Sequence, residues 1–356
     1  MSDTVLQSSP RVQWIDAARA ICVLAIVLMH FQIWVIAPFV GPSPDVSAWK
    51  FLISLLNAFH LPLLFILSGY LVSSRVRTGW SKRNWMSAAR SYYLYVVWLA
   101  VYWAFTVIIP TRTPLGVPSW SSFVGQLLLP RSVLWFVLAL AIYVLVMSAA
   151  SKLAPAAALT ILAALSVLTV WLPGVEGADL YRRVVYYALF FGVGVYARQA
   201  VSWFVSGRIR WKLAVAVGGY VLVVLVGRSE IALSPVALVV IRLLREFAAS
   251  FAVLAIVVIL CRSQFLARPV AAIGRLTLPI YVLQMPLLWV FLMYPDWSGL
   301  LQSPALRALM PLVGLTVITL VSLGAYWLAM RTPLRWLFEM PRPKEQRETA
   351  QATADA

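Results

Sequence analysis

Reactive polar chemistry is scarce in this chain of 356 residues. It holds two cysteines, Cys22 and Cys261, and two histidines, His30 and His60. Two cysteines cannot build a disulfide framework, and so few soft ligands make a structural zinc or haem site improbable, so no metal is expected. Charge is short as well: 12% of residues are charged, and 12 Asp and Glu stand against 29 Lys and Arg. Long polar connectors are missing, so chemistry is expected inside a helix bundle or at its mouths. A cleavable leader is not expected either, because the first apolar stretch is followed at once by another and its flank carries Asp3, Arg11 and Asp16. What the chain does have is apolar length. It is 62% hydrophobic, and several runs reach the roughly 20 residues needed to cross a bilayer. The net charge of +17 is spread over the connectors between those runs, as membrane topology demands, which argues against nucleic acid as a partner.

The expected fold is all-α: a polytopic transmembrane bundle of about ten helices, at approximately 15–39, 50–74, 91–110, 133–151, 154–173, 184–200, 211–228, 236–261, 270–293 and 307–330. With the N-terminus cytoplasmic, Lys and Arg divide 19 inside to 9 outside, Arg19 within the first span completing the 29. That bias places both termini in the cytoplasm, and an even number of spans agrees. Residues 1–339 read as one transmembrane domain. Residues 340–356 (MPRPKEQRETAQATADA) read as a polar disordered tail. No internal repeat is evident, which disfavours transporters built from duplicated halves.

Arg19 and His30 lie eleven residues apart in IDAARAICVLAIVLMH. Eleven steps turn roughly 1100°, so the two side chains share a face about three turns apart. Asp16 lies one turn before Arg19 on nearly the same face. Ionisable groups within a spanning helix are costly, so three along one stripe require a functional account. Arg19 could merely snorkel to headgroups and Asp16 merely pair with it, but that leaves His30 unexplained. On the second helix, NAFHLPLLFILSGYLVSSR, His60 is fourteen residues from Ser74, as His30 is thirteen from Ala17. Each imidazole therefore sits roughly 20 Å above the cytoplasmic boundary. His60 taken alone suits an interhelical hydrogen bond as well as a ligand or catalytic role. Pro62 loosens the helix ladder beside it, and Ser68-Gly69 permits close helix approach.

The connector RVRTGWSKRNWMSAAR carries Arg75, Arg77, Lys82, Arg83 and Arg90. Topology alone accounts for them, and a cytoplasmic phosphate-binding rim is the functional alternative, with Arg90 its best member because it opens the third helix. On the outer side, Arg131 precedes LWFVLALAIY, where Trp135 is either an interfacial anchor or an aromatic at a cavity mouth stacking on a sugar. Arg242, Arg245 and Glu246 form either an internal ion pair, Glu246 reaching Arg242 at i, i+4, or an outer acceptor pocket. Tyr281 and Gln284 are polar groups in LTLPIYVLQMPLL, a helix that Pro279 and Pro286 perturb.

Together these pieces resemble the acyltransferase-3 family of bacterial membrane acyltransferases, over essentially the whole chain. The most specific element is arginine, ten residues, histidine, met by Arg19 and His30. FHLPLLFILSGYL supplies the family's histidine-proline-serine-glycine helix, and LWFVLAL, LFFGVGVYAR and IYVLQMPLL are weaker matches. Two features depart from the pattern: Arg83 and Arg90 are seven apart where an arginine pair is often close, and Gln284 stands where histidine is frequent. The resemblance implies acyl-coenzyme A, commonly acetyl-CoA, as a cytoplasmic co-substrate, with no permanently bound cofactor. It implies an acceptor hydroxyl on an envelope polysaccharide, lipid-linked glycan or glycolipid at the outer face of the bacterial inner membrane. An esterase-like domain, appended in some relatives, is not expected here.

On that basis His30 is expected to act as general base, with His60 orienting it or hydrogen-bonding the thioester carbonyl as it becomes an oxyanion. Arg19, fixed by Asp16, would meet the donor phosphates together with Arg90 and Arg83. Trp135, Arg242, Arg245, Glu246, Tyr281 and Gln284 would line the cavity or meet the acceptor. Arg19 and His30 are expected to line one passage open to the cytosol. The rival class is a transporter or flippase of a lipid-linked sugar or acylated glycolipid. It would use the same polar stripe but has no need of two histidines at one depth.

Overall fold

A computed structural model describes residues 13–40, 44–109, 114–172, 179–228, 233–293 and 296–341. Every element among them is helical. The expected tail at 340–356 lies outside the described residues apart from its first two positions. In chain order the α-helices are α1 (Gln13–Phe31), α2 (Pro44–Val76), α3 (Lys82–Ile108), α4 (Trp120–Gln126), α5 (Trp135–Ala149), α6 (Pro155–Leu168), α7 (Asp179–Tyr196), α8 (Arg198–Val205), α9 (Ile209–Gly227), α10 (Pro235–Leu260), α11 (Gln264–Arg275), α12 (Thr277–Leu292) and α13 (Pro304–Ala329). The membrane face holding the start of α1 is here called proximal, and the opposite face distal.

Among the described residues seven helices are long and apolar enough to cross a membrane, or up to nine if two bent pairs each count once. A further short apolar helix, Pro155–Trp171, falls outside that count. Each of the ten predicted segments falls on a helix, but three are not simple spans. The segment predicted at 154–173 is a short apolar helix, Pro155–Trp171. Those at 184–200 and 270–293 run across bends of 75° and 67°, after Tyr196 and Arg275. A hydropathy window registers apolar length and not direction, so it joins a span to the amphipathic helix lying beside it.

Two devices hold the bundle together. The first is small residues where helices touch. A Cβ on Gly69 of α2 would lie 2.1 Å from the Phe191 carbonyl oxygen of α7, and one on Gly194 would lie 2.1 Å from that of Ile66. Backbone thus meets backbone at the α2–α7 crossing, where packing and not hydrophobicity drives association. Gly274 of α11 presses in the same way against the Asp16 carbonyl of α1, at 1.8 Å from a built Cβ. The second device is aromatic. The fully buried Phe65 ring contacts Trp135, Phe136, Tyr143 and Tyr187, with centroids 4.7–5.9 Å apart. It thereby locks α2, α5 and α7 into one wall.

Buried Lys212 shows how an isolated cation is accommodated. Its ammonium donates to the carbonyls of Trp203, Phe204 and Ser206 at 2.5, 3.2 and 2.8 Å and lies 4.0 Å from the Trp203 ring centroid. It closes the end of α8, where carbonyls lack helical donors.

The α2–α7 contact generates a stability prediction. Gly194→Ala forces backbone apart and should destabilise the protein by about 1–3 kcal/mol, the usual range for overpacking. Gly218→Ala, where nothing lies within 4 Å, should be neutral or slightly stabilising. Thermal unfolding of the two variants in the same detergent checks the contrast, and equal melting temperatures refute it.

Candidate functional site

His30 lies seventeen residues along α1 from Gln13, and His60 sixteen residues before the end of α2 at Val76. At about 1.5 Å per residue both stand roughly 25 Å from the proximal ends of their helices. They open onto one cavity of about 100 Å³, lined by Ile26, Met29, His30, His60, Leu61, Leu115, Arg131, Ser132, Val133, Trp135, Arg183 and Tyr281. Two residues beyond His30 the α1 helix passes into a π-helical turn, Gln32–Ile36, a local widening frequent at functional sites.

Hydrogen bonds orient each ring. His60 Nδ1 lies 2.7 Å from the Leu56 carbonyl oxygen. A carbonyl only accepts, so Nδ1 carries the proton and neutral His60 has its lone pair on Nε2. His30 Nδ1 lies 3.3 Å from Gln284 Oε1, and with the amide oxygen accepting, its lone pair is likewise on Nε2. Each imidazole thus keeps a proton-accepting nitrogen. A neutral His60 in this tautomer accepts at Nε2, and only its protonated form would donate there.

The segment from Pro114 to Leu134 builds the other wall and runs down beside α3. The Trp289 indole donates to the Pro114 carbonyl at 3.1 Å, and the Val117 N–H donates to Thr106 Oγ1 at 3.2 Å. Lower down, the Tyr95 hydroxyl donates to the Gln126 carbonyl and the Tyr181 hydroxyl to that of Leu128. Tyr95 is thirteen residues before the distal end of α3 at Ile108, so the segment reaches about 20 Å down that helix. Its α4 turn ends on Gln126, whose buried side chain donates to Ser122 Oγ at 3.1 Å and accepts from the Arg131 N–H at 3.2 Å. The chain then rises into α5, with the Tyr281 hydroxyl donating to the Val133 carbonyl. Irregular backbone at this depth persists only where the protein satisfies its polar groups. The outcome is that Arg131 and Ser132 arrive at the imidazoles. Leu115, also on the cavity, is the single non-glycine residue with positive φ among the described residues, at 58°. Such strain, about 1–3 kcal/mol, clusters at functional sites.

A family model, the acyltransferase domain of acyltransferase 3, matches residues 12–331. The chain belongs to the acyltransferase-3 family. It is a multi-pass membrane acyltransferase. Comparison with curated proteins and with solved structures finds no match.

In this acyltransferase, α12 holds both ends of the α1 stripe. Arg19 Nη2 donates to Thr277 Oγ1 at 3.0 Å, and seven residues further along the same helix Gln284 meets His30. The stripe therefore faces protein and not lipid. Arg19 is not among the described residues that line the histidine cavity. Buried Asp16 lies under Gly274 at the α1–α11 contact.

Arg83 lines a separate proximal recess of about 480 Å³ with Leu71, Val72, Ser74, Arg75, Thr78 and Ser81. Arg75 donates to Ser87 Oγ at 2.9 Å and feels the charges of Arg83 and Arg90. Three guanidiniums thus gather there, although the sequence spacing did not show a pair. Trp135 and Tyr281 line the histidine cavity, and Gln284 braces it. Arg242 is bound to Glu246 at 2.8 Å and to the Tyr187 hydroxyl at 3.3 Å, so the ion-pair alternative describes it. Buried Arg245 Nε has no hydrogen-bond partner. None of Arg242, Arg245 and Glu246 lines the cavity; Tyr187, packed on Trp135 at 5.8 Å, stands between.

Sequence reasoning missed Arg183 and Ser132 and used Arg131 only to mark a helix start. An arginine in a connector carries the same signal whether it sets topology or faces a site. Gln126 offers a direct test of the wall. Gln126→Ala removes the two side-chain bonds of Gln126, to Ser122 and from the Arg131 N–H, and acyl transfer should fall by about tenfold or more while the protein stays monodisperse. Wild-type turnover in that variant would show that the turn does not position Arg131.

Proposed function

We propose that this protein transfers an acyl group, most simply acetyl, from acyl-coenzyme A at its proximal face to a hydroxyl of an envelope carbohydrate or glycolipid at its distal face. The proximal face is then cytoplasmic and the membrane is the bacterial inner membrane, in keeping with the Lys and Arg bias. The observation that carries this reading is the pair of level imidazoles, each with its tautomer set and a basic nitrogen left over, in a chain of this family.

Arg19, Arg83 and Arg90, with Arg75, hold the phosphates of the nucleotide at the proximal side, and the pantetheine arm enters along the α1–α12 stripe. His30 Nε2 accepts the proton of the acceptor hydroxyl as its oxygen attacks the thioester carbonyl. The C–S bond breaks, an ester forms, and the proton passes to the departing thiolate. His60, fixed by the Leu56 carbonyl, accepts a hydrogen bond from the thiol once it has formed. Ser132, buried with no partner for its hydroxyl, is the donor available to the oxyanion. A flippase reading requires a continuous passage for a large headgroup, whereas the cavity holds about 100 Å³.

His30→Ala should lower transfer by about 10²–10⁴-fold, the usual contribution of a general base, with folding retained. Release of free thiol from acetyl-CoA by the purified protein measures it, and undiminished release excludes His30 from the chemistry. Arg19→Lys should raise the apparent KM for acetyl-CoA more than it lowers kcat, because an ammonium lacks the planar fork. An unchanged KM removes Arg19 from donor binding.

A further inference from the structure

We propose that the rim of the histidine cavity is an anion site, and that the acceptor it selects carries a carboxylate or a phosphate next to the hydroxyl that reacts. This rests on the acyl-transfer reading for what reacts, but not for what binds.

Arg131 comes from the re-entrant segment and Arg183 from α7, and both line the cavity while remaining exposed to solvent. Among the described residues that line the cavity there is no Asp or Glu. Neither guanidinium makes a hydrogen bond or ion pair with the described residues. By contrast, Arg242 has Glu246 and Tyr187, Arg307 has the carbonyls of Leu301 and Gln302, and Arg19 has Thr277. Topology does not explain the rim pair, since both stand on the distal side, against the bias that gathers positive charge on the proximal one.

The cavity is thus divided by chemistry. Its floor offers two imidazole nitrogens that accept a proton, which suits a neutral hydroxyl. Its rim offers planar guanidiniums, which match carboxylate or phosphate oxygens. A uronic acid or a sugar phosphate satisfies both halves at once. A neutral sugar satisfies only the floor.

The test uses full-length protein in detergent micelles, titrated calorimetrically with glucuronate, glucose 1-phosphate and glucose. Both anions should bind about tenfold or more tightly than glucose, as charge-assisted hydrogen bonds provide. Arg131→Gln combined with Arg183→Gln should abolish the preference, and the corresponding pair of lysine substitutions should keep most of it. Equal binding of glucose, no saturable binding of either anion, or a preference unchanged in the glutamine variant overturns the proposal. Thiol release from acetyl-CoA on the same samples separates the two readings. Release that depends on His30, without any preference for anions, removes the rim site alone. A preference for anions in a protein that never cleaves acetyl-CoA removes the acyl-transfer reading and upholds the rim site.

Discussion

A backbone that turns back inside a bilayer must find within the protein every hydrogen bond that water would otherwise supply. The site of this acyltransferase depends on meeting that demand between Pro114 and Trp135. The partners come from all sides: Tyr95, Tyr181, Tyr281 and Trp289, from α3, α7 and α12, donate to its carbonyls, and Thr106 of α3 and Gln126 of the segment itself accept from its N–H groups. Five of these six are phenol, hydroxyl or indole groups, which present an apolar body to the bundle and one polar atom to the backbone. The chain therefore reaches the imidazoles without any charged group being buried to hold it there. Because α5 starts only where the segment ends, it is fifteen residues long, about 22 Å. Its missing distal turns leave the space in which the cavity lies.

The second constraint is the way α12 is used along its length. Thr277 holds Arg19, Gln284 holds His30, Tyr281 holds the Val133 carbonyl, and the Val282 carbonyl accepts from the Tyr102 hydroxyl at 2.9 Å. One helix thus fixes the depth of α1, of α3 and of the re-entrant chain relative to one another. Its proline at 286 lies beyond those contacts. The 67° bend before Thr277 lets α11 fold away, with Gly274 against α1, so that α12 begins at the level of Arg19.

Much of this was legible in the residues. Apolar length located a helix at each of ten segments, and the arginine–histidine spacing placed both ionisable groups on a protein-facing stripe. Arithmetic from the helix ends put His30 and His60 at one depth. The bends after Tyr196 and Arg275 were not legible, because the amphipathic α8 and α11 add apolar residues to their neighbours' windows without adding direction. The re-entrant segment was hidden for the opposite reason. Gln126, Thr106 and the tyrosines each look like ordinary interfacial polar residues until their partners are known. Arg131 and Arg183 were hidden by charge, since a connector arginine at the membrane edge needs no further explanation. The guanidinium expected beside His30 was Arg19, whereas those that share its cavity come from residues 101 and 153 positions further on.

A comparison with hydrolases that orient a catalytic histidine with a buried carboxylate shows what the membrane changes. There the carboxylate fixes the tautomer and stabilises the imidazolium formed during reaction. Here both rings are oriented by neutral oxygens, the Leu56 carbonyl and the Gln284 amide. A carboxylate without close compensation costs several kcal/mol in a low-dielectric bundle, whereas a carbonyl already present in the helix adds little. The tautomer is thus set at little electrostatic expense, but the imidazolium loses its counter-ion. On the mechanism proposed above, a proton taken up by His30 cannot rest there long, next to a rim already carrying two guanidiniums. Acyl transfer from a thioester suits that arrangement, because the departing thiolate forms as the proton is released and can take it. The charge then never outlasts the step that creates it.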